Sequence, residues 1–314
     1  MKEKIFPRRS FFKTILKLLG YSTIYLIPQY LLKLVSAYPA SSKKSKIAVI
    51  SSSDISQKTI ERMVDKAFNE FGGVNRFIKK GMKVVIKPNI AWNSSPEQAH
   101  NTNPYLVETV ARLCKNAGAK VTIFDRTCNS ARLSYKASGI ADAAKRAGVD
   151  IEFIDSRKYK TVDVPNGIRL KKLQVYKQIL DADFVINMPI AKHHSSSGLS
   201  LSMKNLMGVI GGNRGKYHLG LHQNIVDFNK TVKVDLIICD ALRILTDHGP
   251  NGGTPEDVKE KRTIIMGTNP VTVDAYAVNL FGIPPSKIEY ISLASKNGMG
   301  EIHPDKINII KKRV

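Results

Sequence analysis

From residue 46 onward the chain alternates between short unbroken apolar runs and longer segments whose apolar side chains recur every three or four residues. The runs are Lys46–Ile50, Lys83–Lys87, Lys120–Asp125, Ile151–Asp155, Asp183–Asn187, Val234–Asp240 and Thr263–Gly267. They are rich in Val and Ile and lack the in-out alternation of a half-exposed strand, so they read as strands buried on both faces. Between them, Ile60, Val64, Ala67, Phe68 and Phe71 mark a helix over 56–71, ended by Gly72-Gly73. Leu106, Val107, Val110, Leu113, Cys114 and Ala117 mark a second helix, opened by Asn103-Pro104 and closed by Gly118. Helices are also expected over Tyr135–Ala147 and Pro270–Leu280, and a long connection over Lys192–Lys230. Strands separated by helices predict an α/β fold, a mostly parallel sheet flanked by helices on both faces.

A different pattern precedes residue 40. An apolar stretch from Phe11 to about Tyr38 is interrupted by Lys13, Lys17, Pro28 and Lys33. Only the fifteen residues 18–32 are free of charge, short of the ~20 that span a bilayer. The stretch suits an export signal or an apolar helix on a membrane surface, outside the fold. Residues 1–40 are thus expected to be an export signal or membrane anchor, 41–46 a linker, and 47–314 the α/β domain. Arg8, Arg9, Phe11, Phe12 and Lys13 resemble the bacterial twin-arginine signal. That resemblance implies the twin-arginine export machinery as a partner, membrane contact through residues 8–38, and a periplasmic or outer-face location.

Charge narrows the partners. The 314-residue chain has 49 Lys and Arg against 26 Asp and Glu, a formal +23. Residues 1–46 hold ten basic side chains and one acidic, so the remainder still carries +14. A folded part this basic favours an anionic ligand. Its lysines are dispersed and accompany no zinc-finger or RNA-binding motif, so no specific nucleic acid is expected. Cys114, Cys128 and Cys239 form no CxxC, and no iron-sulfur cluster is expected.

In such sheets ligands sit beyond the C-terminal ends of the strands. The segments found there are Lys87-Pro88-Asn89 with Trp92, Asp125-Arg126-Thr127, Asn187 to His194, Asp240, and Gly267 to Pro270. The densest polar stretch is 187–222, which holds four of the seven histidines. Lys87, Lys192 and Lys204 are expected to bind an anion, and His193, Lys192, His222 and Asp240 to do the catalytic work, an imidazole moving a proton near neutral pH. His218 and His222, four residues apart, suggest a metal with His193, Asp240 or Asp227 as a third ligand. The plainer alternative is that one or two of these imidazoles only hydrogen-bond the loop. Asp274 fits either a helix cap or the site. Glycine spacing matches neither nucleotide fingerprint.

Taken in order, Lys87-Pro88-Asn89, Asn103-Pro104, Asn187-Met188-Pro189 with Lys192 and His193, Met203 to Gly208, Asp240 with Gly249-Pro250 and Gly252-Gly253, and Gly267 to Ala275 resemble the domain family DUF362 over about residues 47–300. Many members of that family carry a ferredoxin-like cysteine module, which this chain lacks. The family is in turn distantly similar to the N-terminal domain of the nickel-pincer lactate racemase, where histidines and a lysine contact a nickel-bearing nucleotide cofactor. This implies a divalent metal or nickel-type nucleotide cofactor, with Lys192, His193, Lys204, His218 and His222 as candidate contacts. Lys87, Asn89, Lys204, Asn205 and Gly208 are expected to bind the cofactor, and His193, His218 and His222 the metal. His194, beside His193, leaves the choice between those two open. The expected function is a metal- or cofactor-assisted enzyme acting on a small anionic metabolite, or else a non-catalytic binding protein for an anionic ligand.

Overall fold

The computed structural model of the protein describes residues 44–314. The expected export signal, apolar helix and the first half of the linker lie outside the described residues. Among the described residues no helix is long and apolar enough to cross a membrane.

Twelve strands and nine α-helices are present among the described residues. The strands are β1 (Lys46–Ser51), β2 (Lys83–Pro88), β3 (Lys120–Ile123), β4 (Asp150–Ile151), β5 (Tyr159–Asp163), β6 (Lys172–Tyr176), β7 (Phe184–Met188), β8 (Ile190–His194), β9 (Gly198–Ser200), β10 (Leu236–Leu245), β11 (Val258–Gly267) and β12 (Asn308–Arg313). We number the helices α1 (Gln57–Glu70), α2 (Pro104–Asn116), α3 (Ala131–Ala137), α4 (Ile140–Ala147), α5 (Lys177–Asp181), α6 (Ser202–Asn205), α7 (Leu221–Thr231), α8 (Pro270–Val278) and α9 (Glu289–Lys296). Side-chain caps start α1, α2 and α8. Ser56 accepts from the Thr59 N–H, Asn103 from those of Tyr105 and Leu106, and Asn269 from that of Thr272. The helix expected over Tyr135–Ala147 is two, because Gly139 adopts φ 71° between α3 and α4.

The main sheet runs β12-β1-β11-β10-β7-β2-β3-β4, with β8 and β9 attached beside β10. Its pairings from β10 through β7, β2 and β3 to β4 are parallel, whereas β11 lies antiparallel to both β1 and β10. The reason is local. β10 continues five residues past Asp240, and the loop to β11 contains no crossover helix, so the chain turns straight back. Successive residues of a strand feed opposite faces. Ile47, Val85 and Ile237 enter one core with α7, α8 and α9, while Ala48, Val84, Ile86 and Ile238 enter the other with α1, α2 and α4. Two covered faces explain the unalternating apolar runs.

The expected long connection after Lys192 is structured. It folds as the β8–β9 hairpin, the short helix α6, tight helical turns and α7. Together with the loops that follow β2 and β3, these pieces cover the C-terminal ends of the parallel strands.

Candidate functional site

A cleft of about 310 Å³ opens at those strand ends. Its deepest wall is the end of β2. The Lys87 side chain is fully buried, and its ammonium donates to Asn205 Oδ1 at 2.8 Å and to the Pro88 carbonyl at 2.8 Å. The same ammonium faces Asp125 Oδ1 at 2.9 Å. Two hydrogen bonds and one buried ion pair thus occupy the ammonium, and Lys87 is spent on joining β2, the end of β3 and α6. Burial lowers its pKa despite the neighbouring Asp125 carboxylate. Gly208 closes the same corner. A Cβ there would stand 1.8 Å from Asp125 Oδ1 and 2.7 Å from Lys87 Nζ, so only glycine lets the backbone approach this closely.

Asn205 is the hub of the floor. Its Oδ1 accepts from Lys87 and, at 3.0 Å, from Asn89 Nδ2, while its Nδ2 donates to Asn187 Oδ1 at 2.8 Å. Asn89 Oδ1 in turn accepts from the Lys192 ammonium at 3.3 Å, and Lys192 also donates to the His100 carbonyl. Burial, then the nearby Lys204 ammonium, pulls the Lys192 pKa down to about 7.

Lys204 differs from its two neighbours. It is 8% exposed and lines the cleft, yet its only hydrogen-bond partner among the described residues is the Met207 thioether at 3.7 Å. Burial lowers its pKa to about 8. Its helix is anchored from α8, where the Asp274 carboxylate accepts from Ser202 N–H, Ser202 Oγ–H and Met203 N–H at 2.8, 2.5 and 2.9 Å. Arg214 lines the same cleft; its Nη2 donates to the Arg126 carbonyl at 2.6 Å, and among the described residues its buried Nε has no hydrogen-bond partner.

The strand period sorts the histidines. In β8, Lys192 and His194 are two residues apart and both line the cleft, whereas His193 points to the other side. There its Nδ1 accepts from the Gly249 N–H at 3.0 Å, and its Nε2 is 3.8 Å from Asp247 Oδ1. His194 Nδ1 accepts from the Ser196 N–H at 3.2 Å, which leaves the ring proton on Nε2. Burial and the Lys204 and Lys192 charges push its pKa down to about 2, so the ring is neutral. His218 stacks on it at 6.5 Å between ring centroids.

The structure therefore brings together Lys87, Asn89, Lys192, Lys204, Asn205, Gly208 and His218. It does not bring in His193, His222 or Asp240. His222 lies on α7 with Nε2 3.4 Å from Glu289 Oε2 and its ring on Tyr290. Asp240 is inside β10, where it accepts from the Asn103 and Leu242 N–H groups at 2.7 and 2.9 Å and ties the start of α2 to the sheet. Trp92, the sole tryptophan, lines the cleft. Arg214 and Cys128 are wall residues whose part in the cleft carries no signal in the sequence. His194 was legible through the two-residue period once β8 is recognised as a strand.

The residues do not fit a metal ion held by protein ligands. Among the described residues no three His, Cys, Asp or Glu side chains converge, so His193, His218 and His222 make no metal set. Lys192, Lys204 and Arg214 repel a bare cation and instead suit the negative end of an organic molecule.

Comparison with known proteins places the chain. It is 30% identical over 197 residues to the thylakoid-associated protein sll1697 of Synechocystis sp. (strain ATCC 27184 / PCC 6803 / Kazusa), a match covering 60% of each chain. The chain thus spans less than two thirds of that relative's length. The lactate racemase apoprotein from Thermoanaerobacterium thermosaccharolyticum aligns with a TM-score of 0.40 and 12% identity, over 70% of this chain and 54% of that one. Residues 84–279, which include every cleft residue named above, match the profile described as "Domain of unknown function (DUF362)", and the chain belongs to that family.

Proposed function

We propose that the cleft receives a small organic anion and that the protein is an enzyme moving a proton on it. The observation that carries this reading is the Lys204 ammonium, nearly enclosed and, among the described residues, with only a thioether partner, in a cleft that Arg214 also lines. A buried cation without an acceptor is unfavourable by several kcal/mol unless it neutralises or finds an anion. A carboxylate or phosphate between Lys204 and Arg214 relieves both groups at once.

Two further groups supply chemistry. The neutral His194 directs an Nε2–H donor that stabilises negative charge developing on a ligand oxygen. Lys192, with a pKa near 7, is poised to take or return a proton. If a phosphate-bearing organic cofactor also enters, the same cations would hold its phosphate.

Binding is tested by titrating inorganic phosphate, glyoxylate and lactate against Trp92 fluorescence. Catalysis is tested by proton NMR of saturating lactate in deuterated water, where loss of the C2–H signal, by proton abstraction at C2 and return of a deuteron from solvent, is expected with wild type and not with Lys192→Met. Absence of saturable binding by any anion refutes the whole reading. Saturable binding without exchange refutes the enzyme and leaves the anion-binding protein. Delivery through residues 1–40 to the periplasm or the outer face of the cytoplasmic membrane belongs to the same proposal, with fractionation of tagged full-length chain as its check.

A further inference from the structure

One wall residue has chemistry that the proton-transfer reading leaves unused. Cys128 lies in the loop after β3, where its N–H donates to the Ala91 carbonyl at 2.7 Å and holds it against the loop after β2. Its sulfur accepts from Arg214 Nη1 at 2.8 Å. It lines the same cleft as Lys204, Lys192 and Lys87. Of the three free cysteines it is the exposed one. Cys114 and Cys239 are buried, and burial pushes the Cys114 thiol up to about 12 and that of Cys239 well above its ordinary value. The chain therefore places one accessible thiol on the wall of the cleft whose amine lacks a counter-charge.

We propose that Cys128 is a nucleophile for an anionic carbonyl compound, an aldehyde or 2-oxo acid held by Lys204 and Arg214. This rests on the anion-binding reading of the cleft. Sγ bonds the carbonyl carbon, the C=O π pair moves onto oxygen, and the thiol proton ends on that oxygen. The product is a hemithioacetal or hemithioketal, with no other reactant consumed. His194 Nε2–H is the donor in the cleft for that oxygen. The cations around the sulfur concentrate the anion beside it.

The first test compares alkylation of Cys128 by iodoacetate and iodoacetamide, read by peptide mass spectrometry on the intact protein. In each case the S–C bond forms as the C–I bond breaks, iodide leaves, and the thiol proton passes to solvent. Simple thiols prefer the neutral reagent. At Cys128 the anionic reagent should be faster by about tenfold or more, the enrichment that a cationic cleft gives an anion. The second test follows Trp92 fluorescence with Cys128→Ser, which should bind glyoxylate about tenfold more weakly, a loss of about 1.4 kcal/mol, and inorganic phosphate as wild type does. If phosphate binds both proteins equally, but iodoacetate has no advantage and glyoxylate affinity is unchanged, the thiol proposal is overturned and the anion site stands. If neither phosphate nor glyoxylate binds wild type, both fall.

Discussion

Three lysines within one cleft have three different fates, decided by what each ammonium meets. Lys87 has its acceptors supplied by the fold, Lys192 has two oxygens that accept equally from an amine, and Lys204 has a thioether. Lys87→Met should therefore act on stability, lowering unfolding free energy in urea by about 3–5 kcal/mol because Asp125 is left buried beside a methyl group. Lys204→Met should act on ligand, weakening phosphate binding by about 1.5–3 kcal/mol, the worth of a charge-assisted hydrogen bond. A bound anion favours the protonated forms of Lys192 and Lys204, which otherwise lose protons near 7 and 8. Anion affinity should then fall as pH rises from 6 to 9. Calorimetry in buffers of different ionisation enthalpy should show proton uptake on binding above pH 7.

At the scale of elements, the cleft depends on two backbone placements. The first is β8, whose two-residue period puts Lys192 and His194 in the cleft and sends His193 to Asp247. The second is the α6 corner, where Asp274 holds the first turn and Gly208 lets the chain pass over the Lys87–Asp125 pair. Gly208→Ala has no room without moving one of those buried charges. It should destabilise by about 1–3 kcal/mol, the usual penalty of overpacking, and also weaken phosphate binding by shifting Lys204. A variant with wild-type urea midpoint and wild-type phosphate affinity would contradict this account of the corner.

Across the whole molecule, buried titratable groups pull stability in opposite directions with pH. Burial raises Asp240 to about 6 and Asp274 to about 7, so the native state holds protons there that the unfolded chain has lost. Their contribution is fully present below the unfolded pKa and is lost as pH rises through the folded values. Lys192 and Lys204 have depressed values, so their contribution grows as pH rises from about 7 toward 10. Wild type should gain stability relative to Asp274→Asn as pH falls from 7 to 4, and relative to Lys204→Met as pH rises from 7 to 10. Urea midpoints measured without ligand at each pH give both slopes.

The amino-acid order by itself determined the layered α/β architecture, because runs such as Val84-Val85-Ile86 bury both faces only between two layers of helix. It also placed Lys87, Asn89, Lys192 and Lys204 at the right end of the sheet, since ligand-facing loops follow the carboxyl ends of parallel strands. It did not show that β11 turns back antiparallel, which depends on how far β10 extends past Asp240. Nor did it separate Lys87 from Lys204. Both are lysines close to apolar residues, and only the tertiary structure decides that one finds Asp125 and Asn205 while the other looks into the cleft with no oxygen to meet.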